Sequence, residues 1–171
     1  MSRPNLDNIR ALGDFSTVFR WDISFPMGGV DLATDADLST CCESTDLPQR
    51  TNQKIEIAIR GHKHYQPGIM QVGGMFTCKF VEPVGAGISA WLQQWAEDVW
   101  LTNEGTVSAS QAIRDPITIK RLSSVDNETP IFTYHMHSCF LETFTLPPLD
   151  GSSSAAFTPG ISFSYDYFTT A

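Results

Sequence analysis

The stretch Lys54–Phe80, KIEIAIRGHKHYQPGIMQVGGMFTCKF, decides how this chain is read. Its first arm, KIEIAIR, alternates strictly, with Ile55, Ile57 and Ile59 on one side and Lys54, Glu56, Ala58 and Arg60 on the other. Its second arm, MFTCKFV, repeats the pattern with Phe76, Cys78 and Phe80 against Thr77 and Lys79. Period two is the mark of a β-strand with one buried and one wet face. The two arms are expected to pair as a hairpin. Between them lie fourteen residues, Gly61–Gly74, where about two to five would close a turn. A connection of that length, holding His62, His64, Tyr65 and Pro67, is expected to be an extended tip with a task of its own.

Outward from this stretch the same period recurs. RWDISFPM places Trp21, Ile23 and Phe25 opposite Asp22 and Ser24, which predicts a half-buried strand after an irregular N-terminal arm over 1–18 with a short helix near Leu6–Leu12. A loop, GGVDLATDADLST, leads to a short strand around Ser39–Ser44, and Pro48 holds Leu47 extended before the main hairpin. GISAWLQQWAEDVW changes period: Ile88, Trp91, Leu92, Trp95 and Val99 recur at helical spacing, predicting an amphipathic helix over 87–102 with Ser89 as N-cap and Gly105 as stop. PITIKRL, IFTYHMHSCFLETF and ISFSYDYF read as three further strands; in the last, Ile161, Phe163, Tyr165 and Tyr167 share a face opposite Ser162, Ser164 and Asp166. The fold class is therefore mainly β with one α-helix. An antiparallel, barrel-like sheet packs one face on the helix and turns a polar face to water.

Composition narrows the function. The chain has 171 residues, enough for one domain with a real core, and a formal net charge of −8. That balance argues against gripping nucleic acid, which requires Lys and Arg to neutralise phosphates. The N-terminus, MSRPNLDNIRALGDF, shows no apolar core of a secretory signal, and no long apolar run predicts a membrane span. No phosphate-binding Gly-rich loop or nucleophile elbow is present. Asp31, Asp35 and Asp37 lack the glycine and glutamate of a calcium loop, and the run His135, His137, Cys139 lacks zinc-module spacing. No catalytic residue, metal or cofactor is expected. The four cysteines, Cys41, Cys42, Cys78 and Cys139, are too few and scattered for a disulfide scaffold. Cys78, on the apolar face, is expected to be buried.

Three features now combine: Leu47-Pro48 ahead of the hairpin, the helix face Trp91 to Trp95 after it, and the closing Asp166-Tyr167-Phe168. In this order they resemble the tail-tube proteins of contractile-tailed bacteriophages and related contractile injection systems, over about residues 19–168. The departures are Phe168 where Trp is common, the short tail beyond it, and the cysteines. The resemblance implies a homohexameric ring whose strands close one continuous barrel across subunits, with rings stacked into a tube. It implies a non-enzymatic structural subunit of a virion tail, assembled in the host cytoplasm. Its partners would be copies of itself, tail sheath, tape-measure, baseplate and tail-terminator proteins, with DNA passing through without specific binding. On this reading Lys54, Glu56, Arg60, Thr77, Lys79, Ser162, Ser164 and Asp166 are channel-lining, while His62, His64, Tyr65, Gln66, Ile69 and Met70 touch the next ring. Cys41, Cys42 and Cys139 are candidates for bridges between subunits. Two alternatives stay open: the inner tube or initiator ring of a type VI secretion or other injection system, and a monomeric β-rich ligand-binding module. An enzyme using His135 and His137 with a metal ranks third.

Overall fold

The hairpin exists, but its second strand is the stretch read as a tip. In a computed structural model, which describes residues 17–26, 35–85, 87–101, 104–107, 113–123, 125–126, 128–152 and 154–171, strand β3 (Thr51–Ile59) pairs antiparallel with β4 (His62–Gln71). The turn between them is only Arg60-Gly61, with φ of 48° and 86°. Two successive positive φ values match the right-handed twist of the strands on either side, so a two-residue loop closes the ribbon. Pro67 argues against a strand only where its missing N–H is needed. Here the sheet is two-stranded, and the pairing shifts between Asn52 and Lys54, opposite Gly68-Ile69 and next to Pro67. Met75–Phe80, the expected partner of Lys54–Arg60, lies in β5 (Gly74–Phe80) of a different sheet.

The remaining elements, in chain order, are β1 (Trp21–Ser24), α1 (Asp35–Cys41), β2 (Cys42–Thr45), then after β5 α2 (Ile88–Val99), β6 (Trp100–Leu101), β7 (Thr106–Val107), β8 (Ile113–Arg114), β9 (Ile117–Leu122), β10 (Pro130–His137), β11 (Cys139–Thr145), β12 (Gly160–Tyr165) and β13 (Tyr167–Thr170). They form a four-stranded sheet, β1-β9-β10-β13, a five-stranded sheet, β2-β5-β12-β11-β8, and a small β6-β7 ribbon. All pairings are antiparallel, and among the described residues no sheet closes on itself. The strand expected around Ser39–Ser44 is half helix: α1 runs to Cys41, and β2 takes over. The N-terminal arm before residue 17, with the helix expected at Leu6–Leu12, and most of the GGVDLATD loop lie outside the described residues.

Two stretches read as single strands are each broken by one residue. Ser138, with φ of 56°, ends β10 in one sheet and starts β11 in the other. Asp166 does the same between β12 and β13, and its N–H donates to the His137 carbonyl at 3.1 Å. Strands that change sheet at a bend are how two sheets share a corner. The break also flips the face, so Tyr167 is exposed and Phe168 buried, against the expected run of Ile161, Phe163, Tyr165 and Tyr167. The β8–β9 passage, at Asp115-Pro116, is a third crossing. His137 binds all three: its Nδ1 lies 2.9 Å from Asp115 Oδ1, its Nε2 lies 3.2 Å from Thr169 Oγ1, and its ring stacks on Tyr167 at 4.7 Å.

The core fills the space between the sheets and α2. The helix buries Ile88, Trp91, Leu92, Trp95, Ala96 and Val99, the stripe its periodicity predicts. Trp95 sits 5.0 Å from Phe163 of β12, Phe163 stacks on Phe76 at 5.2 Å, and Phe25 closes on Trp91 and Phe80 at 6.0 and 5.9 Å. Such ring pairs add about 0.5–1.5 kcal/mol each beyond their buried area. The caps differ from expectation. Gly87 with φ of 65° precedes the helix, and Ser89 lies inside its first turn. The Glu82 carboxylate accepts from the Ser89 N–H at 3.0 Å and from the Ser89 hydroxyl. A carboxylate there satisfies an orphan donor and meets the positive end of the helix dipole. The helix stops at Val99, before Gly105, which instead turns the β6-β7 ribbon at φ of 67°.

Candidate functional site

The β3-β4 ribbon has no core of its own. Every residue of its two strands is exposed except Ile57 and Gly68, which are partly buried. Residues opposite each other across the ribbon share a face, so the register sorts its side chains into two surfaces. Ile55 with Gln66, Ile57 with His64 and Ile59 with His62 form one, apolar and edged by imidazoles. Lys54 with Pro67, Glu56 with Tyr65 and Ala58 with Lys63 form the other. There Lys63 pairs with Glu56 at 2.6 Å, and the Lys54 ammonium sits 4.1 Å from the centre of the Tyr65 ring. The isoleucine face, expected to pack into the core, is open: Ile55 is 49% and Ile59 is 62% accessible. A patch of this kind on a ribbon clear of the core is a contact surface in waiting.

What the ribbon lacks along its length it gains at its root. Pro48 is buried, and the Gln49 N–H donates to Tyr165 Oη at 3.3 Å. Arg50 lies 4.6 Å over the Phe168 ring and donates to the Phe168 carbonyl at 3.5 Å. On the returning strand Gly73 approaches so closely that a Cβ there would meet the Asp166 and Tyr165 carbonyl oxygens at 2.6 and 2.7 Å. The root is therefore clamped to the corner where β12 becomes β13.

The second surface is the outer face of the five-stranded sheet. Thr77 of β5 pairs with Ser162 of β12, their hydroxyls 3.5 Å apart, and Ser164 Oγ donates to Glu142 Oε2 of β11 at 2.6 Å. Lys79 continues this face, opposite Gly160. Thr77, Lys79, Ser162 and Ser164 are thus brought together. Lys54, Glu56 and Arg60 are not among them, because they belong to the separate ribbon and its turn. Asp166 stands at the sheet corner. Glu142 belongs to the cluster without having been singled out; its place next to Ser164 depends on a shift in the β11-β12 pairing between Leu141 and Thr143. No local pattern announces such a shift.

Cys42, Cys78 and Cys139 are buried, and Cys41 is partly so. Burial, then the neighbouring Cys42 thiol, pushes the Cys78 thiol well above its ordinary value. Burial pushes Cys139 up to about 12. Of Cys41, Cys42 and Cys139, only Cys41 reaches another chain without the core opening. The histidines disperse: His135 Nδ1 lies 3.0 Å from Thr118 Oγ1 while His137 serves the corner, and among the described residues no group of His, Cys, Asp and Glu is arranged to hold a metal.

The sequence matches no protein-family model and no curated protein sequence. The fold, by contrast, has solved counterparts over its whole length. A chain of the sheath–tube complex of an extracellular contractile injection system, PVC, in the extended state superposes with a TM-score of 0.66 at 18% identity, covering 99% of each chain. A chain of the tube-terminating cap of the anti-feeding prophage gives 0.66 at 16% identity over 92% of this chain and 91% of that one. A chain of the anti-feeding prophage baseplate gives 0.61 at 12% identity over 100% and 97%. At such identities the likeness is one of fold. The chain has a fold shared with chains of the PVC sheath–tube complex and of the anti-feeding prophage cap and baseplate.

Proposed function

We propose that this chain is a tube-forming structural subunit of a contractile injection particle: copies assemble into rings, and rings stack into a hollow conduit. The observation that carries this reading is the superposition, end to end, on a chain of a sheath–tube complex. Two features of the molecule support it. The isoleucine face of the β3-β4 ribbon, which His62, His64 and Gln66 share, needs a neighbour; Tyr65 on the opposite face and the exposed Ile69 and Met70 offer that ring further contacts. The sheet face of Thr77, Lys79, Ser162 and Ser164 carries three hydroxyls and one ammonium group, suited to a wet channel wall. Among the described residues β1, β13, β2 and β8 stand at sheet edges, where neighbours in a ring would add strands. Sheath, terminator and baseplate proteins are the partners such a tube would meet. Rings of six are the expected symmetry, and an inter-subunit disulfide narrows to Cys41.

A narrower reading makes the particle a phage tail that conducts a genome past a tape-measure protein, with assembly in the host cytoplasm. The net charge of −8 favours it in one respect: an acidic subunit repels DNA and lets it slide. The alternatives are the tube of a secretion system and a monomeric binding module. Electron microscopy with light scattering on the purified chain tests the main reading. Rings or tubes are the expected result; a strict monomer at high concentration, with or without a tube terminator, would move the binding module to first place. Nuclease-protected DNA inside native particles would separate the phage from the injection systems.

A further inference from the structure

Beside the root of the ribbon lies a cleft of about 280 Å³, lined by Thr17, Arg20, Trp21, Leu47, Ile119 and Arg121 among others. A second hollow of about 300 Å³ shares Arg20 and Trp21 with it. The floor is apolar, since Ile119 is fully buried, and Trp21 and Arg121 face each other across β1 and β9. Among the described residues, two buried polar atoms beside the cleft, Arg20 Nη1 and Thr17 Oγ1, have no hydrogen-bond partner. The Phe19 ring has its centre 5.4 Å from the Arg20 guanidinium carbon, and the Leu122 N–H donates to the Arg20 backbone carbonyl at 3.0 Å. Arg20 and Arg121 both line the cleft, and two guanidinium groups in its wall favour an anion entering from outside. The ligand that suits the cleft is a carboxylate beside a bulky apolar side chain.

We propose that this cleft receives the Leu149-Asp150 tip of a second copy of the chain. Leu149 is 88% exposed and follows Pro147-Pro148. The prolines stiffen the tip and lower the entropy lost on docking. Asp150 accepts from the Ser152 N–H at 2.9 Å and the Ser152 hydroxyl at 2.7 Å, both on Oδ1, leaving Oδ2 for a donor outside the loop. Those two bonds hold its carboxyl below the ordinary carboxylate range, so it enters as an anion. Of the other exposed acids, Asp126 is engaged through both oxygens by Thr129, Glu56 by Lys63 and Glu142 by Ser164. The tip and the cleft are different patches of one surface. Their contact is heterologous and passes from copy to copy until it closes a ring or continues as a filament. The inference rests on the self-assembly proposed above.

A charge swap tests it. Asp150→Arg sits on an exposed loop and leaves the subunit folded; the contact expects it to raise the concentration needed for assembly on the order of tenfold. Adding Arg20→Asp should recover assembly. An Asp150→Arg chain that assembles like the original overturns the contact. Because Arg20 is partly buried, a second measurement avoids any folding defect. The unassembled full chain is titrated with the peptide Leu-Pro-Pro-Leu-Asp-Gly-Ser and with its Asp→Asn form, read by tryptophan fluorescence. Saturable binding that weakens on the order of tenfold for the Asn form supports the contact. A chain that assembles but ignores the peptide overturns the contact and leaves the tube reading standing. A chain that binds the peptide yet never assembles does the reverse.

Discussion

Single residues decide where the ribbon stands and which thiols react. Gly73 is the clearest case, because its Cα lies against two main-chain carbonyls that cannot swing aside as a side chain would. Gly73→Ala should destabilise the subunit by about 1–3 kcal/mol, the usual cost of overpacking, measured by denaturant unfolding. An unchanged midpoint would mean that the root is looser than its geometry indicates. The buried thiols make a second expectation. With Cys78 and Cys139 held protonated by desolvation, native protein at pH 8 should take up iodoacetamide at neither, whereas the unfolded chain reacts at all four. The sign of the pH effect follows. A thiol whose folded value is raised to about 12 contributes its stability in full below the unfolded value near about 8.5, and that contribution is lost as pH climbs from one to the other. Alkaline unfolding scans on Cys139→Ala should show a shallower loss over this window. Native-state labelling of Cys139 at the rate of an open thiol would overturn the assignment.

Between elements, core and ribbon should behave oppositely. Trp95 is 1% exposed and touches Phe163 and Trp91, so Trp95→Ala should cost about 3–5 kcal/mol and lower the yield of folded subunit. Ile55→Lys together with Ile59→Lys alters side chains already in water. Stability should then move by no more than about 0.5 kcal/mol per site, while rings or tubes disappear. Tubes of normal appearance from that double variant would detach the ribbon from assembly. The same contrast explains what could be read in advance. The α2 stripe was legible because its apolar residues all face one partner surface. The β3 alternation was equally legible as a strand, but alternation reports two unlike faces and does not name what covers the apolar one. The β4 strand was hidden by Pro67 and by an Arg60-Gly61 turn in place of the commoner Asn-Gly.

For the whole molecule, the prediction concerns what the assembled conduit carries. If the Thr77, Lys79, Ser162 and Ser164 face lines a channel, Ser162→Lys with Ser164→Lys should leave the fold intact and make the tube bind DNA, with an affinity that falls steeply as salt rises. Filter binding across a salt series would show it, and DNA indifferent to the variant tubes would remove that face from the channel wall. The mainly β fold class and the α2 helix with its buried face were determined by the chain's own periodicities and composition, because those are local properties of spacing and side-chain type. Which strands share a sheet was not. Ser138 and Asp166 look like ordinary strand residues, yet each sends the chain from one sheet into the other, since a bend at those points lets two sheets share a corner stitched by His137. Lys54 and Lys79 illustrate the consequence: they have the same place in their local patterns and lie on different sheets. Pairing depends on long-range closure of the core around Phe163 and Trp95, and no window of sequence contains both sides of that contact.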